Sequence, residues 1–188
     1  MIKDVKKYGV YFANLSAYND GRMVGEWVYP LEYKSFKNFV KAIKEATKDG
    51  VEYADEIAVH DYDSFPNMGE YPSHASIYKL AYSLEESTLK AEILIKYFND
   101  FNFVIYSSNY EDLIDEISSI EEAFIVECDK FEDFAHEKAD NEILNRIPSE
   151  AQQFVFNNFD YDGYSRDLEH YYEVITLDNY SVAIFQKV

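Results

Sequence analysis

Apolar residues follow two different periods along this chain, and the switches between them predict its elements. From Tyr8 to Leu15 the run Tyr-Gly-Val-Tyr-Phe-Ala-Asn-Leu is rich in aromatic and β-branched types. Asn19-Asp20-Gly21 then supplies turn chemistry that tolerates positive φ, and Arg22 to Tyr29 resumes the extended pattern. The two runs predict a β-hairpin with a loop longer than two residues. Phe36, Phe39, Val40 and Ile43 recur at helical spacing between Ser35, a candidate N-cap, and Gly50, a candidate C′ residue. Glu56 to Tyr62 reads as a third strand, completing a ββαβ unit that ends near residue 62.

Pro66, Gly69 and Pro72 interrupt regular structure between Ser64 and Ser73 and mark a candidate boundary. Ser83 with Glu86 forms a capping-box pattern, after which Leu84, Leu89, Ile93, Leu94 and Tyr97 continue at helical period. Tyr110 to Ile117 predicts another helix. Ala123 to Val126 reads as a short strand, Phe131 to Asn145 as a helix, and Pro148-Ser149 as the opening of a further helical stretch. Tyr171 to Leu177 and Tyr180 to Gln186 flank Asp178-Asn179 as a terminal hairpin. The expectation is an α+β chain of three small domains: an N-terminal ββαβ unit over residues 1–62, a mainly helical middle over 63–119 and an α+β C-terminal unit over 120–188.

Charge changes this picture most. The chain carries 36 Asp and Glu against 17 Lys and Arg, a net charge of −19. Residues 1–50 are net +3 and residues 51–188 net −22. The densest stretch holds Glu111, Asp112, Asp115, Glu116, Glu121, Glu122, Glu127, Asp129, Glu132, Asp133, Glu137 and Asp140 against only Lys130 and Lys138. Such a surface repels nucleic acid and attracts what nucleic acid attracts. Self-repulsion of this size would suit a disordered tail, but 47% of the residues are apolar, and 18 Tyr, 14 Phe and Trp27 give a folded chain large areas to bury.

Charge runs are commonly a solvated face. Scale and segregation argue for more here, because basic residues are too scarce to pair most of these carboxylates. Side chains three or four apart on a helix recur every ~5 Å, against one phosphate per ~3.4 Å on each strand of duplex DNA. Two neighbouring acidic helices would approximate a phosphate array, and the −22 segment matches about 11 base pairs. One feature runs the other way. Lys34, Lys37, Lys41, Lys44 and Lys48 fall on one face of the first predicted helix, as a solvated stripe, a nucleic-acid contact or a match for an acidic patch of a second subunit.

Candidate chemistry is sparse. Asp160-Tyr161-Asp162-Gly163 places its glycine too early for a calcium loop, and His60, Asp61 and Asp63, like Cys128 and His136, lack zinc spacing. Nucleophile elbow, Gly-rich phosphate loop and paired helical histidines are all missing. No metal, cofactor or enzymatic activity is expected. Cys128 alone rules out an intramolecular disulfide framework and fits a reducing cytoplasm. Met1 to Lys7 lacks the apolar run of a signal peptide, and no stretch approaches the ~20 apolar residues that span a bilayer. The expectation is a soluble cytoplasmic protein with no membrane partner.

Three ordered strings carry a resemblance. Val10-Tyr11-Phe12-Ala13-Asn14-Leu15 with Tyr18-Asn19-Asp20-Gly21 and Gly25-Glu26-Trp27, then Ile57-Ala58-Val59-His60-Asp61-Tyr62, then Phe159-Asp160-Tyr161-Asp162-Gly163-Tyr164-Ser165-Arg166-Asp167-Leu168 resemble antirestriction proteins of the ArdA family. The resemblance implies elongated three-domain homodimers joined through their C-terminal domains, carried on plasmids, transposons and phages. Their carboxylates imitate bent duplex DNA and occupy the DNA groove of type I restriction-modification enzymes. It brings no catalytic residues. Two departures stand out: residues 1–50 are net positive, and Asn102 to Asn109 looks like an insertion. The function expected is a DNA mimic that inhibits a type I enzyme without binding DNA itself, with the twelve carboxylates above as its contact residues. The alternative is an acidic adaptor for another basic DNA-binding protein.

Overall fold

A computed structural model describes residues 7–101 and 110–187. Met1 to Lys6 and the stretch Asn102 to Asn109, read above as an insertion, lie outside the described residues, as does the side chain of Glu111. The chain forms two compact units, residues 1–118 and 119–188, of mixed α and β structure. The finer boundary expected near residue 62 lies inside the first unit.

That unit contains β1 (Gly9–Asn14), α1 (Leu15–Asn19), β2 (Gly25–Val28), α2 (Phe36–Ala46), β3 (Ile57–Asp63), α3 (His74–Glu86), α4 (Ala91–Asp100) and the start of α5 (Tyr110–Ala123). Its sheet has the order β2-β1-β3, with β1 antiparallel to both neighbours. Phe12 on the central strand is fully buried, with its ring centroid 6.1 Å from that of Phe39 on α2 and 5.6 Å from that of His74 on α3. A Cβ at Gly25 would lie 2.3 Å from the Phe12 carbonyl oxygen, so only glycine lets β2 approach β1 at this register.

Three local expectations are corrected. The expected hairpin forms with a loop longer than two residues, but that loop is not simply a turn, because Leu15–Asn19 forms a helical turn. Asn14 causes it: its buried Oδ1 accepts from Ala17 N at 3.0 Å while Nδ2 donates to the Thr47 carbonyl at 3.0 Å. Next, Ser35 does cap α2, accepting from Asn38 N at 3.3 Å, but the helix stops at Ala46, well before Gly50. Thr47 closes it by donating its hydroxyl to the Ile43 carbonyl at 2.9 Å, and Gly50, at φ +61°, serves the turn between Asp49 and Glu52. Only Lys37, Lys41 and Lys44 therefore lie on α2 itself.

The third correction concerns the capping box at Ser83, which starts no helix. Ser73 is the cap, accepting from Ser76 N at 3.0 Å, and Ile77, Leu80, Ala81 and Leu84 form a continuous buried stripe through Ser83. A capping serine needs extended backbone. After Ser73 the next serine with extended backbone is Ser87, at ψ 146°, which ends α3 and accepts from Leu89 N at 3.1 Å. The single helix expected from Ser83 onward is therefore the end of α3 followed by α4. The Pro- and Gly-containing stretch before Ser73 is also anchored, with Phe65 and Met68 buried and Val59 N donating to the Glu70 carbonyl at 2.9 Å.

The second unit holds the end of α5, then β4 (Phe124–Cys128), α6 (Phe131–Glu142), α7 (Ser149–Asn158), α8 (Tyr161–Leu168), β5 (Tyr172–Thr176) and β6 (Val182–Gln186). Here the central strand is β6, antiparallel to β4 and β5, with Ala183, Ile184 and Phe185 fully buried. The terminal hairpin forms around Asp178-Asn179, whose Asn179 Oδ1 accepts from Ser181 N at 3.0 Å. Phe131 and Ala135 of α6 pack with Leu168, Tyr172 and Ile184 into one core, which leaves the opposite face of α6 to solvent.

Candidate functional site

Helical arithmetic sets out the carboxylates. On α5 the buried positions Leu113, Ile117, Ile120 and Ala123 repeat every three or four residues, so Asp112, Asp115 and Glu122 are exposed and Glu116 and Glu121 half-buried. On α6 Phe131, Ala135 and Ala139 are buried, and Glu132, Asp133 and Glu137 are exposed. Asp133, Glu137 and Asp140 share the outer face at steps of four and three. Asp129 is exposed in the turn before α6, and Glu127, half-buried on β4, accepts from the Ser181 hydroxyl at 3.2 Å. Seven of the twelve candidates are thus exposed, and four are partly covered.

Neighbours give several of these groups a local role as well. Lys130 offers α6 no side-chain cap, so Glu132 and Asp133 supply negative charge to its first turn, where the helix dipole favours it. Burial, followed by repulsion from Asp112 one turn away, holds the Glu116 carboxyl above its ordinary range. Its folded form therefore binds a proton more tightly than the unfolded chain does. The Glu116 charge opposes folding above the folded pKa, and that opposition fades on acidification. Glu116→Gln is expected to stabilise the protein at neutral pH by about 0.3 kcal/mol. The gain should fade as pH drops through the folded pKa and vanish well below the ordinary Glu range, near pH 3, as urea unfolding at neutral and acid pH would show.

Asp140 is tied down differently. The Tyr161 hydroxyl donates to its Oδ1 at 2.6 Å, and burial together with this carboxylate pushes the Tyr161 phenol up to about 12. The bond joins α6 to α8, a helix that periodicity alone did not reveal. Asp160 caps α8, accepting from Gly163 N at 2.9 Å, and a Cβ at position 163 would lie 2.4 Å from Asp160 Oδ2. Exposed Asp160, Asp162, Asp167 and Glu169 thus add to the acidic surface of this unit and were not among the expected contacts. The D-x-x-G spacing was the signal for the cap; read only as a failed calcium loop, it hid the helix.

Across residues 119–188 the sequence has 16 Asp and Glu against five Lys and Arg. Lys138 pairs with Glu142 at 2.6 Å, and Lys187 Nζ donates to the Glu169 and His170 carbonyls, each at 3.2 Å. Cys128 sits beside the cluster, where burial, Asp133 and Asp129 raise its thiol pKa and keep it a poor nucleophile. Among the described residues no three His, Cys, Asp or Glu side chains are placed to hold a metal ion, and no helix is long and apolar enough to cross a membrane.

In the first unit Lys34, Lys37, Lys41 and Lys44 are exposed, and among the described residues none has a carboxylate within ion-pairing distance. Lys48 leaves the stripe, pairing with Glu45 at 3.6 Å and lying 4.9 Å over the Tyr53 ring.

The model of the antirestriction protein family ArdA matches residues 10–182, nearly the whole chain. The chain belongs to the ArdA antirestriction family. A comparison with curated proteins finds no match. In this ArdA chain the strings that carry the resemblance are structural. The first builds β1, α1 and β2, where Tyr11 meets Trp27 edge-on at 5.5 Å. The second is β3, and the third caps α8 and joins it to α6. The acidic residues lie largely outside these strings.

Proposed function

We propose that this ArdA protein is a non-enzymatic DNA mimic that inhibits a type I restriction-modification enzyme by occupying its DNA-binding channel. The observation that carries this reading is the set of seven exposed carboxylates on and between packed helices: Asp112, Asp115, Glu122, Asp129, Glu132, Asp133 and Glu137. Lys and Arg residues that neutralise phosphates in the channel meet carboxylates instead. The partly covered Glu116, Glu121, Glu127 and Asp140, with Glu111, complete the contact set.

Preorganisation supports the reading. A flexible acidic tail would lose roughly 0.5–1.5 kcal/mol for each side chain ordered on binding, whereas packed helices have already restricted theirs. The protein acts in the cytoplasm as a homodimer joined through residues 120–188, which doubles the length of the charged array. It binds neither DNA nor membrane.

The test is competition among purified type I enzyme, labelled duplex DNA and this protein. Displacement of the duplex is expected, weakening steeply as salt rises. An enzyme whose DNA affinity is untouched would overturn the mimic and leave the adaptor alternative.

A further inference from the structure

A cavity of about 350 Å³ opens where α6 passes through the turn Leu144–Arg146 into α7, lined by Asp140, Leu144, Asn145, Gln152, Gln153 and Phe156. Its size falls at the lower end of the ligand-pocket range. Its polar lining is one carboxylate and three side-chain amides. Asn145 Nδ2 donates to Asn141 Oδ1 at 3.4 Å, Gln152 Nε2 to the Ile147 carbonyl at 3.0 Å and Gln153 Nε2 to Asn157 Oδ1 at 3.0 Å. Each amide directs one of its two N–H groups to the protein's own acceptors, while its carbonyl oxygen receives no donor from the described residues. Asp140 has one oxygen engaged by Tyr161 and a second without such a bond.

The lining therefore offers four groups able to accept a hydrogen bond, one of them anionic, beside the aromatic ring of Phe156, which is 52% exposed. Anions are repelled by Asp140 and its acidic surroundings, and a neutral apolar group would leave the acceptors desolvated and unmatched. A guanidinium answers every feature, with five donors in a plane and a face that stacks on an aromatic ring. An ammonium has only three donors and no planar face.

We propose that this cavity receives the guanidinium of an arginine side chain presented by a protein partner. The ligand chemistry stands on the cavity alone; naming that partner as a restriction enzyme rests on the reading above. The cavity adds one arginine-specific anchor to an otherwise distributed charged surface, as buried hot spots do in other interfaces.

The experiment is a heteronuclear NMR titration of the full chain with Nα-acetyl-arginine amide and, separately, Nα-acetyl-lysine amide. Saturable shifts at the side-chain amides of Asn145, Gln152 and Gln153 are expected, with arginine binding about fivefold more tightly than lysine. Phe156→Ala removes a side chain that is more than half exposed, so the fold should survive while that preference is lost. Asp140→Asn should weaken arginine binding by a similar factor. Equal response to the two amides, shifts spread over the Glu132, Asp133 and Glu137 face without saturation, or unchanged selectivity in Phe156→Ala would each overturn the proposal. No restriction enzyme is present in this titration, so its failure leaves the competition result standing, and the reverse also holds.

Discussion

Converting Asp112, Asp115, Glu122, Asp129, Asp133 and Glu137 together to their amides should weaken inhibition of a type I enzyme on the order of 10³-fold. All six are exposed, so each amide remains solvated. Exposed ion pairs contribute about 0.2–1 kcal/mol each, which puts the sum near 4 kcal/mol and any single change below about fivefold. The measurement is inhibitor titration at two salt concentrations, where the sixfold variant should also show a much flatter salt dependence. Asp133 needs a control, since its place in the first turn of α6 contributes roughly 0.3–1 kcal/mol to that helix. Circular dichroism at the assay temperature supplies it. Loss of all inhibition on one Asp→Asn change would refute distributed recognition.

Phe185→Ala should cost about 3–5 kcal/mol of stability, the range for an aromatic ring removed from a packed core. Phe185 is fully buried on the central strand, with its ring centroid 5.5 Å from that of Phe124 on β4. Such a loss is a large part of the ~5–15 kcal/mol that holds an ordinary domain together. Because α6 packs on the same sheet through Ile184, the variant should lose inhibition with every carboxylate still present. Chemical denaturation beside the competition assay would show this. A variant unfolded at the assay temperature that inhibited as well as the parent would mean that fixed display is unnecessary.

What was legible in the sequence follows from how local each signal is. β1, β3, β4 and the terminal hairpin were readable because alternation and turn chemistry act over a few residues. The cap at Ser35 was readable for the same reason. Ser83 misled because a serine three residues before a glutamate is a cap only if the backbone there is extended, and the buried stripe of α3 decides that from a distance. Gly50 misled because Thr47 competes for the same helix end with a hydroxyl bond to Ile43.

The acidic positions on α5 and α6 could be assigned to an outer face by counting from their apolar neighbours. Their partners could not: the Tyr161 bond to Asp140 spans 21 residues, and the Ser181 bond to Glu127 spans 54. α8 escaped notice because an eight-residue helix has barely two turns in which to show a period and carries Gly163 inside it. The cavity was invisible for another reason, since it depends on how α6, the turn Leu144–Arg146 and α7 come together.

The two sheets assemble in opposite chronological order. In the first, the middle strand is synthesised before both of its flanking strands, so each later strand finds a template waiting. In the second, the middle strand is the last of the three to be made. On a translating ribosome the acidic helix α6 therefore emerges long before residues 182–186 can complete the sheet beneath it. Until then the negative side chains are present without the platform that orients them, and a nascent chain halted short of residue 182 would have a finished first sheet and no working second one.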